Sequence, residues 1–166
     1  MKNRIKRRGL AALLALCMLV PFGVIGTGAA AERSTSLGAS QFPRGAVTTP
    51  VLLNGTEILV GECYRLDGVT YVPLRRFCEV LAPGGSMTWN GRTNTATFQT
   101  DSLELSVRVG RLYITANGHM LYTVGAVRNL EGHLYVPVRP LARAFAAALT
   151  WDASACAVGL TRADGT

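Results

Sequence analysis

The sequence is short of the residues that carry catalysis or hold metals. Only two histidines, His119 and His133, occur in 166 residues, and neither has a partner at metal-ligand spacing. Cys63 and Cys78 stand 15 positions apart with no second ligand beside either, which excludes a zinc-type pair. There is no glycine-rich phosphate loop, no nucleophile–base motif and no basic–aromatic stripe. The acidic pairs Glu57 with Glu62 and Asp101 with Glu104 fall in ordinary strand or turn contexts. These absences leave no catalytic residue, no metal ligand set and no cofactor site, and predict a chain that is not an enzyme.

Acidic residues are missing altogether before Glu32, where Lys2, Arg4, Lys6, Arg7 and Arg8 hold five of the 17 basic residues. From Glu32 onward the remaining 12 basic residues face 10 acidic ones, a net of +2 against +7 for the whole chain. Nucleic-acid binding needs a basic patch on the folded part, so it is excluded as a partner class. The basic start instead opens a secretory signal: an apolar core from Leu10 to Val20, then Pro21, then small residues ending Ala29-Ala30-Ala31. The A-x-A spacing places the cut after Ala31, giving a signal peptide at 1–31 and a secreted or cell-wall-associated product. An apolar core this short falls well below the roughly 20 residues of a spanning helix, which argues against an uncleaved anchor and predicts no stable membrane span. Cys17 follows Leu16 where lipid attachment wants a small residue. Cleavage leaves Cys63, Cys78 and Cys156, an odd number, so at least one thiol is unpaired within the monomer and at most one disulfide forms.

What the chain does contain is a duplication. Leu66-Asp67-Gly68-Val69-Thr70-Tyr71-Val72-Pro73-Leu74-Arg75 recurs 64 residues later as Leu130-Glu131-Gly132-His133-Leu134-Tyr135-Val136-Pro137-Val138-Arg139. Upstream, Asn54-Gly55 is matched by Asn117-Gly118. Downstream, Met87-Thr88-Trp89-Asn90 is matched by Leu149-Thr150-Trp151-Asp152 at an offset of 62, the difference being taken up by a loop around Pro83-Gly84-Gly85. The chain therefore divides into a flexible lead at 32–49, a duplicated domain at 50–161 (repeat one 50–100, repeat two 101–161) and a linker or tail at 162–166.

Asn-Gly between apolar runs is a strong signal for a type I′ hairpin, whose two central residues need positive φ. It predicts Val51 to Leu53 paired with Glu57 to Val60, and Leu112 to Ala116 paired with His119 to Tyr122. Asp67-Gly68 and Glu131-Gly132 give further turns, leading to strands that end at Val72 and Val136. Pro73 and Pro137 then open helices, as proline does at a first helical position. The faces Leu74, Phe77, Cys78, Leu81 and Val138, Leu141, Ala142, Phe145 both fall at i, i+3, i+4, i+7. Pro140, fourth in its helix, predicts a start one turn later there. Strands near Ser86 to Trp89, Thr95 to Thr100, Leu149 to Trp151 and Ala157 to Thr161 follow, with an additional one at Leu103 to Val109. A unit of about 50 residues has a marginal core alone. The fold class is thus α+β: two pseudo-symmetric repeats, each of β-hairpins plus one short helix packed on its own small, mainly antiparallel sheet.

The order Asn-Gly, turn, Tyr71-Val72-Pro73-Leu74-Arg75, helix, Trp89, with its second copy Tyr135-Val136-Pro137-Val138-Arg139 and Trp151, resembles the copper amine oxidase N-terminal-like domain, or stalk domain. The resemblance covers about residues 50–161. It implies an exported module of the Gram-positive envelope, outside the copper-bearing part of those oxidases and with no catalytic residues. It also implies a structural spacer or wall-binding role, with peptidoglycan or another envelope protein as partner. The alternative is the targeting portion of a cell-wall hydrolase whose catalytic domain lies beyond Thr166. Oligomeric state is not legible.

Arg75 and Arg139 have two readings. They could fork carboxylates of wall polymers, or each could pair with an acid or carbonyl of its own unit and pin a helix start, the favoured role for a duplicated residue. Trp89, Trp151, Tyr71 and Tyr135 could stack on sugar rings. Their position at strand ends among apolar neighbours favours the core. Cys78, opposite Ala142 in the other copy, reads as a buried inert thiol.

Overall fold

The computed structural model describes residues 42–162; the expected signal peptide at 1–31, Cys17, residues 32–41 of the expected lead and residues 163–166 lie outside them. In chain order the strands are β1 (Val47–Thr48), β2 (Val51–Leu53), β3 (Thr56–Ile58), β4 (Tyr64–Leu66), β5 (Val69–Pro73), β6 (Ser86–Asn90) and β7 (Thr95–Gln99). They continue as β8 (Glu104–Arg108), β9 (Tyr113–Ala116), β10 (His119–Tyr122), β11 (Arg128–Leu130), β12 (His133–Pro137), β13 (Ala147–Asp152) and β14 (Ala157–Arg162). Helix α1 (Leu74–Leu81) follows β5, and α2 (Val138–Ala144) follows β12. Two helices among mainly antiparallel sheets make the α+β class.

The expected hairpins form where the turn chemistry allows. Asn54 and Gly55 have φ of 50° and 84°, and Asn117 and Gly118 have 48° and 79°, the left-handed pair that a type I′ turn requires. Asn117 does more than turn the chain. Its Oδ1 accepts the Glu104 N–H at 2.7 Å and its Nδ2 donates to the Ser102 carbonyl at 3.0 Å, tying the turn to β8. Replacing Asn117 with alanine is expected to cost about 2 kcal/mol through strain at positive φ and two lost hydrogen bonds. Glycine, which removes only the bonds, should cost about half as much in chemical denaturation.

The sheets are not divided as the repeats are. The central sheet runs β1-β4-β5-β12-β11, with β5 and β12 antiparallel and Val72 opposite Val136. A second sheet runs β10-β9-β8-β7-β6, and a third runs β13-β14-β2-β3. In the third, β14 and β2 pair in parallel, joining opposite ends of the described chain. Each sheet thus draws strands from both repeats, where a separate sheet for each was expected. The helices cross over too: α1 packs mainly on β12, and α2 touches β5 as well as β13.

Alternation along β5 and β12 explains two cores. Val72 and Val136 face the helices and join the main cluster with Leu74, Phe77, Leu141 and Phe145. Tyr71 and Tyr135 point to the other face and meet Tyr64, with Phe42 4.2 Å from the Tyr64 ring. Phe42, and β1 pairing with β4, make residues 42–49 part of the domain rather than a flexible lead. At the far end Arg162 belongs to β14 and not to a linker: its N–H donates to Asn54 Oδ1 at 3.2 Å and its guanidinium to the Leu81 carbonyl.

Both helix faces are buried as their spacing predicts. The prolines differ in detail. Pro73 and Pro137 end their strands in extended conformation and stand at the N-cap, one residue before the helix. Pro140 is therefore third in α2, where the N–H has no intrahelical partner to lose, and the helix starts at Val138 without delay. No helix among the described residues is long and apolar enough to cross a membrane.

Candidate functional site

The helix-bearing face of the central sheet is flanked by two clefts made from corresponding residues. The larger, of about 560 Å³, is bounded by Pro137, Val138 and Arg139 at the start of α2, by Leu149 and Trp151 of β13, and by the turn at Gly68. The smaller, of about 180 Å³, is bounded by Pro73, Leu74 and Arg75 at the start of α1, by Met87 and Trp89 of β6, and by the turn at Gly132. In each, the arginine comes from a helix start, the tryptophan from the hairpin after that helix, and the glycine turn from the other half of the described chain.

Arg75 and Arg139 are therefore not scaffold residues of the expected kind. Both are exposed on the first turn of a helix, and neither makes a hydrogen bond or ion pair among the described residues. Trp89 and Trp151 are also not core: they are 47% and 41% exposed, because β6 and β13 are edge strands with no neighbour on their outer side. Tyr71 and Tyr135 go the other way. At 2% and 5% exposure, on the opposite face of the central sheet, they are part of the aromatic core and reach neither cleft. There the Arg128 guanidinium lies 5.6 Å from the Tyr71 ring.

Sequence reasoning missed Arg65. On β4 its side chain alternates away from the buried Tyr64 into the larger cleft, where its guanidinium carbon sits 4.5 Å from the Trp151 ring centroid. A cation over an indole at this distance contributes about 0.5–1 kcal/mol at an exposed site. Nothing local announces the contact, since the partner lies 86 positions further along the chain. Tyr122 and Val124, 71% and 89% exposed, complete the rim.

Charge differs between the clefts. The ion pairs among the described residues belong to Arg76 in the smaller one, with Glu62 at 3.7 Å and Glu79 at 3.4 Å. In the larger cleft Arg65 and Arg139 have no acid. The carboxyl of Asp152, next to Trp151, is occupied within its own turn by the Ser154 hydroxyl and by the Ala155 and Ser154 N–H groups, which hold its pKa below the usual carboxylate value.

Cys63 and Cys78 are buried free thiols and Cys156 is an exposed one, so these three form no disulfide. No three His, Cys, Asp or Glu side chains come together among the described residues, and His119 and His133 both stand exposed on strands.

Comparison with known proteins adds one family. No curated protein and no solved structure matches the chain. A family model described as the copper amine oxidase N-terminal domain matches residues 52–159, which include both clefts. Among the described residues the donor set a copper ion would need is not assembled. The domain is a non-catalytic one in this family. On that match, spanning more than half of its length, the chain belongs to the copper amine oxidase N-terminal domain family.

Proposed function

We propose that this chain is an exported, non-catalytic module of the bacterial cell envelope, built from two pseudo-symmetric units and holding wall material in its arginine–tryptophan clefts. The single observation that carries this reading is the paired placement of an unpartnered arginine beside a half-exposed tryptophan, at Arg139 with Trp151 and at Arg75 with Trp89. A fold that needed those arginines for its own stability would have given them acids. A chain that needed the tryptophans only for packing would have buried them. Matching registers around Val72 and Val136, and matching linings of the two clefts, support the duplication. Export rests on the basic start, the apolar core and Ala29-Ala30-Ala31.

The test is co-sedimentation of the purified chain with isolated peptidoglycan sacculi. Retention is expected, with at least a fivefold loss in the double variant Arg75→Ala/Arg139→Ala and progressive release by salt, since exposed charges are screened over about 10 Å at 0.1 M. A wild-type chain that stays in the supernatant at low salt overturns wall binding.

A further inference from the structure

We propose that the larger of the two clefts is the principal binding site, and that its ligand is an acidic saccharide, a sugar ring carrying a carboxylate or phosphate. This deepens the envelope reading and rests on it for the source of the ligand. Three observations separate the larger cleft from its counterpart.

Size comes first. Small-ligand sites usually occupy about 300–1,000 Å³. The cleft at Trp151, about 560 Å³, lies inside that range and the one at Trp89, about 180 Å³, lies below it.

Charge is the second difference. Arg65 and Arg139 bring two positive charges without an acid, whereas Arg76 in the smaller cleft is paired with Glu62 and Glu79. The residue that corresponds to Arg65 in the other copy is Asn129: Arg65 lies opposite Thr70 across its hairpin, just as Asn129 lies opposite Leu134, and the Asn129 Oδ1 accepts the Gly132 N–H within its own turn. The repeat has thus diverged at the residue that charges the cleft. Two guanidiniums in one apolar cleft are complementary to an anion, and Arg65, with its guanidinium carbon 4.5 Å from the Trp151 ring centroid, sets N–H donors for an oxyanion beside that ring.

The third is the aromatic surface. Trp151 and Tyr122 remain 41% and 71% exposed beside those cations. A sugar lays its C–H face on such a ring while its hydroxyls stay in water, so a shallow aromatic wall suits it. Peptide anchors instead fill enclosed, fully desolvated pockets.

The test uses the full chain carrying Trp89→Phe, which leaves Trp151 as the sole tryptophan of the two in the sequence. Its fluorescence is titrated with a glucuronic-acid oligosaccharide, the same oligosaccharide after carboxyl reduction, a phosphate-bearing sugar oligomer and a glutamate oligomer. The expected result is saturable quenching by a uronate or phosphate saccharide, with the tighter of the two naming the source of the anion. Removing the anion, or introducing Arg65→Ala with Arg139→Ala, should weaken binding at least tenfold, and Arg75→Ala less than twofold. The proposal is overturned if neither saccharide binds, if the carboxyl-reduced probe binds as well as a uronate that binds, if Arg75→Ala weakens binding as much as the double variant, or if the glutamate oligomer binds tightest. Sacculus retention that is insensitive to Arg65→Ala with Arg139→Ala also overturns it while the envelope reading stands. Saccharide binding without sacculus retention removes the envelope reading and keeps the site.

Discussion

Replacing Phe77 with alanine is expected to cost about 3–5 kcal/mol, the range for deleting a large buried aromatic side chain. Phe77 is fully buried on α1 and meets Phe145, just past α2, edge-on at 5.9 Å. Phe145 in turn lies 6.1 Å from Phe98 of β7. Three rings thus join both helices to the second sheet, so a cavity at Phe77 loosens elements of both repeats at once. A domain of this size is stable by about 5–15 kcal/mol in total, so the variant should lose about a fifth or more of that. Urea denaturation followed by circular dichroism measures it through the midpoint, with the slope unchanged if the unfolded state is unaffected. A loss under about 1 kcal/mol would show that Phe77 does not pack where the structure puts it.

Phe77 was readable as core from helical spacing alone, and the reason marks what the sequence could and could not reveal. Helix faces and Asn-Gly or Asp-Gly turns are local, encoded within a few residues, and all of them form. Strand partnership is not local. Nothing near Val51 announces that β2 will lie parallel to β14, with Val51 opposite Val158, because no turn joins them. The same gap misplaced the tryptophans, read with the tyrosines as core. Tyr71 and Tyr135 sit in central strands buried on both sides, whereas Trp89 and Trp151 sit on edges, and an aromatic residue at a strand end reads alike in either setting. The two-residue strand β1 is too short to show alternation, so the lead hid both it and Phe42. Of the larger cleft, the repeat identified Arg139 and Trp151, but Arg65 enters through a pairing of β4 that only the folded sheet supplies.

A sharp loss of stability in alkali should follow from two other core residues. Cys63 and Cys78 are 1% and 0% exposed. Burial pushes the Cys78 thiol up to about 12, with the Glu79 carboxylate adding to it. Cys63 is raised further, by burial first and then by Glu62 and Glu57. In the unfolded chain both ionise near the ordinary cysteine value of about 8.5. Below that pH both states hold their protons and stability is complete. Above it the unfolded chain releases protons that the folded chain keeps, so the unfolded state is favoured progressively until the folded thiols themselves ionise. Each thiol then contributes a slope of about −1.4 kcal/mol per pH unit, and the two together about −3 between roughly pH 9 and 11. Tyr64 steepens the fall at the upper end, since burial raises its hydroxyl too, against the opposing pull of Arg128. Unfolding free energies from urea curves at half-unit steps from pH 7.5 to 10.5 should therefore stay level and then drop. In Cys63→Ala/Cys78→Ala protein the neutral-pH value is lower because two buried sulfurs are gone, but the slope between pH 9 and 10 should flatten to under a third of wild type. It is the slope that separates ionisation from packing: equal slopes in the two proteins would place the alkaline weakness elsewhere than in these thiols.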